Sequence, residues 1–400
     1  MNDRIKTLLI DSNGPGWRRT ATDTVLRGLL RIGVEGAGLP TRLARLPLAQ
    51  RLFRQRHDAL SYLVDWREAL CAAPMLDVEV CNINNLVEYA RRRDAIANYP
   101  LVIILHAAAS DSLPILLRTA HWYQRRRGAL VVLIGNEYDL MTEKFAFIRS
   151  SGADYVGSQL PLEAARWLYA GCHPARVLAT PHALNPSVYY PDPGVSRRVD
   201  VGFVGDVYPS FIGDQERTTL IETFRTRAGE FHLVNDFRMS SRLPRMDWAR
   251  FLQMCRATIG AESGSYFLDR DGQIIASAKA YLGSHPDATF EEVYDRFFRS
   301  PPVEYVSGKC ISSRHFEPIG TKTCQILLEG HYNGILRADE HYIQIRKDLS
   351  NLDDVIRRLK DVAYRTAIVE LAYAYVMGQH TYRHRVQAVI DAVLKSAFDS

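Results

Sequence analysis

Long apolar runs are missing from this 400-residue sequence. No stretch approaches the roughly 20 consecutive apolar residues that a helix needs to cross a bilayer, so we expect no membrane-spanning helix. The first ten residues, MNDRIKTLLI, contain an apolar run too short for a secretory leader, and the polar DSNGPGWRR follows directly. We therefore expect a cytoplasmic protein whose first element is a buried strand that enters a turn.

Cysteine is scarce and shows no metal-ligand spacing. In a chain without an export signal, free thiols in a reducing cytoplasm are the expected state. Cysteine chemistry is therefore not expected to carry the function. The six residues concerned are Cys71, Cys81, Cys172, Cys255, Cys310 and Cys324.

A strong charge of one sign is also missing, because the formal net charge is only +5. The charge is nevertheless uneven, since residues 1–60 hold eleven Lys or Arg against five Asp or Glu. The basic segment 42–56, RLARLPLAQRLFRQR, has two interpretations. It could make peripheral contact with the anionic inner face of a cell membrane, where each basic residue adds about 1 kcal/mol, or it could be a helix that packs its leucines on the core. No nucleic-acid recognition motif accompanies these residues, so nucleic acid is not an expected partner.

The sequence as a whole is 47% hydrophobic and 24% charged, which is typical of a globular protein. Its length favours two domains. Short apolar runs alternate with amphipathic stretches, which is typical of strand–helix units around a parallel sheet. Runs such as LVIIL and LVVLI are typical of strands buried on both faces. The predicted strands are Lys6–Ile10, Leu76–Val80, Leu101–Leu105, Ala129–Ile134, Tyr155–Ser158, Val199–Val204, Phe231–Val234, Ala257–Ile259, Tyr305–Val306, Cys324–Leu327 and Tyr342–Ile345.

The stretches between these strands predict helices, and Tyr266–Arg299 looks like an inserted helical excursion. The segment HALNPSVYYPDPGVSRR can continue neither element and places a domain boundary near residue 190. We therefore predict an α/β protein with two Rossmann-like domains, 1–190 and 191–377, that face across a cleft. The predicted helices are Asp58–Ala72, Leu113–Arg126, Pro161–Leu168, Asp214–Ala228, Met246–Cys255, Phe290–Phe298, Leu352–Leu359 and Asp361–Met377.

The second half of the chain resembles a known group of enzymes. ATPHALNPSVYYPDP resembles the passage that joins the two halves of retaining GT-B glycosyltransferases, and VDVGFVGDVYPSF resembles the opening of their nucleotide-binding half. The run from SSRHFEPIG to the helix ending in LKD, and HTYRHRV at His380–Val386, resemble the spore-maturation-protein (CgeB-type) glycosyltransferases. Together these passages cover most of residues 180–386. The resemblance implies a GT-B fold, a nucleotide-sugar donor and a C-terminal helix, 378–400, that packs back across the domains.

Glu317, in RHFEPIG, is the most informative position. By resemblance it corresponds to the glutamate that holds the ribose hydroxyls of the donor nucleotide, and Gly320 belongs to the same donor-binding segment. A carboxylate can accept two hydrogen bonds from a vicinal diol. We expect Glu317 beside the N-terminus of a helix that begins near Pro318, whose N–H groups favour a diphosphate. The alternative is a carboxylate that only stabilises its own helix start.

Lys309 marks a departure from the family pattern. Retaining GT-B enzymes often carry two glutamates with seven residues between them, and Lys309 stands at the first position. With Arg314 it could instead neutralise the leaving diphosphate, on which negative charge builds as the sugar departs. The alternative for Arg314 is a simple surface cation.

Gly205, Asp206 and Tyr208 follow a predicted strand of the second half and are predicted to bind the donor. A glycine at this point lets the backbone approach a phosphate closely, although a glycine after a strand also occurs in ordinary turns. The loop does not complete the GxGxxG pattern, so NAD is not an expected cofactor.

Three residues that follow predicted strands are candidate catalytic residues. His106 is placed to bind a sugar hydroxyl or the acceptor, and Glu137 to orient or deprotonate the acceptor hydroxyl. Glu262, in the second half, is placed to contact the donor sugar. Helix capping and turn formation are the alternatives for all three.

No metal or cofactor is expected beyond the donor substrate itself. The pair Asp269 and Asp271 in DRDG resembles carboxylates that bind Mg²⁺ or Mn²⁺, but DRDG is also an ordinary tight-turn sequence. His380 and His384 have helical spacing without a partnering carboxylate motif, so we expect a structural role for them.

The sequence thus predicts a metal-independent, retaining glycosyltransferase. It would move a sugar from a nucleotide-diphosphate sugar to a hydroxyl of a glycan, lipid-linked or protein acceptor, in bacterial surface glycan or glycoconjugate synthesis. Two alternatives stay open. One is a non-catalytic GT-B protein that binds nucleotide or glycan, which the missing first glutamate supports, and the other is a sugar-nucleotide epimerase.

Overall fold

The computed structural model describes residues 4–33, 46, 48–49, 52 and 60–398. Most of the basic segment 42–56 lies outside the described residues, so both interpretations of it stay predictions. In the described part of the chain, no helix is both long and apolar enough to cross a membrane.

The first domain is built on a six-stranded parallel sheet. Its strands lie in the order β2-β1-β3-β4-β5-β6. Along the third strand, Val102 and Ile104 are buried in one core cluster and Leu101 and Ile103 in another, because successive side chains point to opposite faces. Burial on both faces explains its uninterrupted apolar sequence. The strands are β1 Ile5–Asp11, β2 Leu76–Asn82, β3 Leu101–Ile104, β4 Ala129–Leu133, β5 Tyr155–Ser158 and β6 Arg176–Ala179.

Helices pack on both faces of this sheet. Leu116 contributes to the core on one face and Trp66 to the core on the other. The α-helices are α1 Trp17–Thr22, α2 Ser61–Cys71, α3 Leu86–Arg91, α4 Ala108–Asp111, α5 Leu113–Tyr123, α6 Met141–Ser151 and α7 Leu162–Leu168. A π-helix, Asp23–Leu29, continues α1, and 3₁₀ turns occur at Ile96–Asn98 and Ala170–Cys172.

The second domain repeats the plan with five parallel strands. Their order is β11-β10-β9-β7-β8. The strands are β7 Val199–Gly205, β8 Asn235–Met239, β9 Cys255–Gly260, β10 Cys324–Leu328 and β11 Ile343–Ile345. The helices are α8 Glu216–Arg227, α9 Arg245–Met254, α10 Gln273–Ser284, α11 Phe290–Phe297, α12 Ser313–Gly320, α13 Leu352–Lys360, α14 Val362–Gln379 and α15 Tyr382–Phe398, with 3₁₀ turns at Ser210–Ile212, Ala228–Phe231 and Tyr332–Gly334.

Two strands differ from the sequence prediction because they are edge strands. The apolar run Phe231–Val234 was predicted as a strand, but the strand is the next segment, β8, which pairs only with β7. The edge strand β6 has no counterpart among the predicted strands. Its burial pattern and that of β8 are intermediate or exposed, so neither needs a continuous apolar sequence. The predicted strand Tyr305–Val306 is instead a single antiparallel bridge between Leu268 and Val306.

The excursion predicted at Tyr266–Arg299 is a helical insertion, made by α10 and α11, that packs on the first domain. Ile274 and Val293 belong to the same core cluster as strands of the first sheet. At the surface, Lys279 Nζ lies 2.6 Å from the carboxylate of Asp139. The insertion therefore ties the two domains together.

The terminal helix α15 also lies on the first domain. Tyr382, Val386 and Ile390 share a core cluster with Leu9 and Trp66. Contacts that join the two domains therefore come from both the middle and the end of the second half of the chain.

In each sheet the strand order reverses beside the first strand, at β1/β3 and at β7/β9. Such a switch point opens a crevice at the carboxyl ends of the strands, where ligands of α/β sheets bind. In the second domain this crevice lies between the loops that follow Gly205 and Gly260.

Candidate active site

A cavity of about 530 Å³ lies between the two domains. The second domain lines it with the loop after β7, the loop after β9 and the starts of helices α9 and α12. The first domain lines it with residues after β4 and β5 and with the start of α2. The carboxyl ends of strands from both sheets therefore meet at one space.

Gly205, Asp206 and Tyr208 all line this cavity. Gly205 has φ +157°, a conformation that side-chain-bearing residues rarely adopt, so glycine is required where the loop leaves β7. Asp206 accepts a 2.8 Å hydrogen bond from Arg242 at the surface. The hydroxyl of Tyr208 donates to the carbonyl of Glu262, which fixes the loop against the neighbouring strand end.

Arg217, in the first turn of α8, is a cavity residue with an unused donor. Its guanidinium carbon lies 5.5 Å from the ring centroid of Phe203 and 5.3 Å from that of Tyr208. Within the described part of the chain its Nε is buried without a hydrogen-bond partner. A guanidinium with a buried N–H that lacks a partner is suited to bind an oxyanion.

Helix α12 presents its N-terminus to the cavity through Ser312 and Ser313. His315 caps this end, because its Nδ1 accepts from the Ser312 N–H at 2.9 Å while Nε2 lies 3.1 Å from the carbonyl of Ala261. Burial lowers the pKa of His315 to about 4, so the ring is neutral at pH 7. The N-terminus of this helix adds partial positive charge beside the cavity.

Arg314 lies in the same turn and lines the cavity. Its guanidinium lies 4.2 Å from the ring centroid of Trp248, and its Nε is 3.9 Å from a carboxylate oxygen of Glu317. Among the described residues, its Nη1 has no hydrogen-bond partner although it is buried. Arg314 is therefore held by an aromatic ring and still has a donor to offer.

Glu317 lines the cavity, but not at the helix start that the sequence predicts. The helix begins at Ser313 rather than near Pro318, so Glu317 lies inside it. The carboxylate is 2% exposed and accepts hydrogen bonds from the hydroxyl of Ser61 at 2.8 Å and from the indole N–H of Trp248 at 2.6 Å. A ribose diol would have to share these oxygens or displace one partner.

Lys309 does not reach the cavity, contrary to the predicted contact with the diphosphate. Its ammonium forms a buried ion pair with Asp214 and lies between the rings of Tyr208 and Tyr266, 5.0 and 4.9 Å from their centroids. It therefore supports the loop that carries Tyr208 from behind. Neighbouring acidic groups raise the pKa of Lys309 against the effect of burial, so the ammonium is charged.

Glu262 and Gly320 are also placed away from the cavity lining. The carboxylate of Glu262 accepts from the backbone N–H of Tyr332 at 2.7 Å and packs against Gly330. A Cβ at Gly320 would meet the backbone oxygen of Tyr189 at 2.6 Å, so this glycine serves helix packing. Glu262 therefore agrees with its capping alternative, because it accepts from the first residue of the 3₁₀ turn Tyr332–Gly334. Neither Glu262 nor Gly320 lines the cavity as the donor-contact predictions require.

The first domain contributes a wall of polar groups with one carboxylate, that of Glu137. Glu137 lines the cavity, and its carboxylate accepts from the Ser158 hydroxyl at 2.6 Å, the Gln159 N–H at 2.8 Å and the Tyr169 hydroxyl at 2.7 Å. Burial raises the pKa of Glu137 in spite of these bonds. His106 lies behind the lining, and His182, whose ring centroid is 5.7 Å away, lines the cavity instead.

Several cavity residues escaped the sequence prediction. Gln159 directly follows the predicted strand Tyr155–Ser158, and Arg217 lies in the first turn of a predicted helix. Both could therefore have been predicted as site residues from their positions in the sequence. His182 follows β6. Because β6 was not predicted, the position of His182 after a strand could not be recognised. Trp248 comes from the side of a helix and had no signal.

The two metal-like sequence patterns have structural roles. Asp269 accepts from the backbone N–H groups of Gln273 and Ile274, both at 2.9 Å, and so caps α10. His384 Nδ1 lies 2.8 Å from the hydroxyl of Thr381 at the start of α15. In the described part of the chain, no group of three or more His, Cys, Asp or Glu side chains could hold a metal ion.

Solved structures similar to this chain include glycosyltransferases. An alpha-glucosyltransferase in complex with UDP-glucose and DNA containing an abasic site is 9% identical, over 97% of this chain and 99% of that chain, with a TM-score of 0.56. An alpha-glucosyltransferase in complex with UDP and a 13-mer DNA is 8% identical, over 98% and 100%, with a TM-score of 0.54. The fold is GT-B. The predicted architecture of two parallel-sheet domains facing across a cleft is thereby confirmed.

A third structure, Anabaena HepE in complex with UDP-glucose, is 12% identical over 98% of this chain and 99% of that chain, with a TM-score of 0.48. No protein-family model matches the sequence, and no curated protein matches it. The resemblance to the CgeB-type group therefore stays a prediction, while the GT-B fold places the cavity in the cleft between its two lobes.

Proposed function

We propose that this GT-B protein is a glycosyltransferase that uses a nucleotide-diphosphate sugar as donor. The observation that carries the proposal is the pair Arg217 and Arg314, which line the interdomain cavity with buried N–H donors that have no partner among the described residues. Buried donors are nearly always paired in native proteins, so their state here favours an anionic ligand. The similar alpha-glucosyltransferase structures contain UDP or UDP-glucose, which supports the same ligand class.

The charge of the cavity favours a diphosphate on the second domain. Four arginines of that domain line the cavity: Arg217, Arg242, Arg245 and Arg314. Two of them already have carboxylate partners, since Arg242 pairs with Asp206 at 2.8 Å and Arg245 with Glu68 at 2.6 Å. Arg217, Arg314 and the N-terminus of α12 are therefore the groups proposed to hold the diphosphate, with the ribose near Glu317.

These groups suit the chemistry of glycosyl transfer. The bond between the anomeric carbon and the phosphate oxygen breaks, the acceptor oxygen bonds to that carbon, and the nucleoside diphosphate leaves with the bonding electrons. Negative charge on the departing oxygen is stabilised by fixed cationic donors. We assign the acceptor proton to Glu137, whose raised pKa makes it a stronger base than an exposed glutamate.

The finer parts of the proposal rest on sequence resemblance. The resemblance to retaining GT-B enzymes supports transfer with retention at the anomeric carbon. The arginines and the helix N-terminus supply the positive charge that a metal supplies elsewhere, which supports metal independence. The acceptor is proposed to be a glycan, lipid-linked or protein hydroxyl of bacterial surface glycan synthesis.

A GT-B protein that binds the nucleotide without turnover is the second candidate. One observation favours this candidate. Lys309 stands where the family often has a glutamate, and its side chain forms a buried ion pair.

A donor panel separates these candidates. The protein is incubated with UDP-, GDP-, ADP- and dTDP-sugars, and both thermal stabilisation and release of nucleoside diphosphate are measured. A ligand at 100 times its Kd adds about 2.7 kcal/mol of stability. Stabilisation with diphosphate release supports the transferase, stabilisation without release supports the binding protein, and no stabilisation by any donor contradicts both.

The variant Arg217→Met tests whether this arginine binds the donor, and Arg225→Met is its matched control. Arg225 is exposed in the same helix, outside the cavity lining. Only Arg217→Met should lose donor binding.

A further inference from the structure

The cavity has two walls of different electrostatic character. All of its lining arginines belong to the second domain. The lining residues that the structure describes in the first domain include no lysine or arginine, and their one carboxylate is that of Glu137. Lys144 is a buried cation behind this wall, and its ammonium donates to the carbonyl oxygens of Gly135 and Asn136 at 2.8 and 3.0 Å. An anionic group on this wall would therefore face a carboxylate with no cation from the same domain in the lining.

The first-domain wall carries polar atoms that lack partners. Gln159 and His182 are 9% and 3% exposed, and both line the cavity. In the described part of the chain, Gln159 Nε2 and His182 Nδ1 have no hydrogen-bond partner. Both side chains are at least nine-tenths buried, both line the cavity, and each has one polar atom without a partner among the described residues, which favours a ligand that supplies the missing hydrogen bonds.

A second layer supports these two groups. Both ring nitrogens of His106 are also buried and unpartnered among the described residues. A Cβ built on Gly135 would lie 3.5 Å from Gln159 Nε2 and 3.5 Å from the His106 ring, which is ordinary van der Waals contact, so Gly135 lies beside both side chains. Tyr62 lines the cavity and lies over His182, with ring centroids 4.3 Å apart.

The two histidines are neutral at physiological pH. Burial lowers the pKa of His106 to about 3, and burial together with His106 and Arg385 lowers the pKa of His182 well below its ordinary value. A neutral imidazole offers one donor and one acceptor, and a glutamine amide offers both as well. A sugar hydroxyl also donates and accepts, so the wall matches a polyhydroxyl group better than a charged one.

We propose that the wall formed by Tyr62, Gln159 and His182 holds the glycosyl group of the donor and selects an uncharged sugar over the corresponding uronic acid. This inference rests on the proposed function, because it takes the diphosphate to lie on the opposite, arginine-bearing wall. The ring of Tyr62 provides an apolar surface for the C–H groups of the sugar. A carboxylate in place of the sugar's CH₂OH group would be desolvated beside Glu137, and the buried Lys144 behind this wall already donates to the carbonyl oxygens of Gly135 and Asn136.

The test uses donors that differ only at C6. Dissociation constants are measured by calorimetry for UDP, UDP-glucose and UDP-glucuronate, and for GDP, GDP-mannose and GDP-mannuronate. We expect the uncharged sugar of the recognised nucleotide to bind at least tenfold tighter than its uronate. Equal or tighter binding of the uronate would overturn the inference, whereas failure of every nucleotide to bind, both here and in the donor panel with ADP- and dTDP-sugars, would overturn the proposed function itself.

Two variants keep the test independent of folding defects. In the wild type the nucleotide sugar should bind more tightly than the free nucleoside diphosphate. Gln159→Leu should bring the two Kd values closer together, so that their ratio approaches one. Gln159→Arg should shift the ratio of the Kd values for the uncharged sugar and the uronate at least fivefold in favour of the uronate. Gln124→Leu, at an exposed position outside the cavity, is the matched control. Unchanged ratios in both Gln159 variants, with normal thermal melts, would refute the role of this wall.

Discussion

The carboxylate of Glu317 accepts a hydrogen bond from the hydroxyl of Ser61 at 2.8 Å, and this bond crosses between the two domains. Trp248 occupies the other carboxylate oxygen at 2.6 Å. The residue that the sequence connects most directly with the donor ribose is thus already engaged in a contact that joins the domains. Nucleotide binding and domain contact are therefore expected to compete for the same oxygen.

Ser61→Ala should strengthen binding of the nucleoside diphosphate about two- to fivefold. The change frees one oxygen of Glu317, and the net value of a hydrogen bond of this kind is about 0.5–1.5 kcal/mol. Calorimetric titration of the wild type and the variant measures the difference. Ser187→Ala, at an exposed position, is the control. A weaker affinity in Ser61→Ala would show that Ser61 itself helps to hold the nucleotide.

Arg217→Lys should lower donor affinity about tenfold even though the charge is kept. The guanidinium Nε is the buried donor without a partner among the described residues, and a lysine has no N–H at that point of the side chain. Arg225→Lys, at an exposed position in the same helix, should change nothing. Equal affinities for wild type and Arg217→Lys would mean that only the charge matters.

Much of the fold could be predicted because its central strands are buried on both faces. Leu101–Ile104 and Ala129–Leu133 are continuous apolar runs for that reason, and both were found within one residue of their observed ends. The edge strands Arg176–Ala179 and Asn235–Met239 pair on one side only, so their sequences carry little signal. A linear pattern reports burial, and these two edge strands contain no buried residue, whereas the edge strand Ile343–Ile345 is buried at both ends and was predicted.

The site could be predicted where position along a strand decides it. Gly205 and Glu137 follow strands directly, and both line the cavity. Lys309 and Glu262 also lie near strand ends or bridges, but their partners, Asp214 and Tyr332, are distant in the sequence and turn them away from the cavity. Side-chain direction depends on such tertiary partners, which no local pattern contains.

Lys309→Met should destabilise the protein by about 3–5 kcal/mol, because it leaves Asp214 buried without its counter-ion. Urea denaturation measures the change in the free energy of unfolding. Adding Asp214→Asn should recover part of the loss, since the asparagine keeps an oxygen for the Glu216 N–H while removing the charge. Additive losses in the double variant would show that the two residues do not act as a pair.

Acid lability should arise in part from His106. Burial lowers its pKa from the ordinary 6.5 to about 3, so between these values the unfolded chain binds a proton that the folded protein does not. The stabilising contribution is therefore fully present above pH 6.5 and is lost as the pH falls toward 3. Asp65, whose pKa burial raises to about 7, acts in the opposite direction over an overlapping range. A comparison with His106→Gln cancels the contribution of Asp65, because that group is common to both proteins.

The free energy of unfolding should fall from pH 6 to pH 5 by about 1 kcal/mol more in the wild type than in His106→Gln. Urea titrations at pH 7.5, 6.0 and 5.0 measure both slopes. The variant is expected to be less stable at pH 7.5, so the argument depends on the slope and not on the absolute value. Parallel pH profiles would mean that His106 binds its proton equally well in the folded protein and is not held neutral behind the first-domain wall.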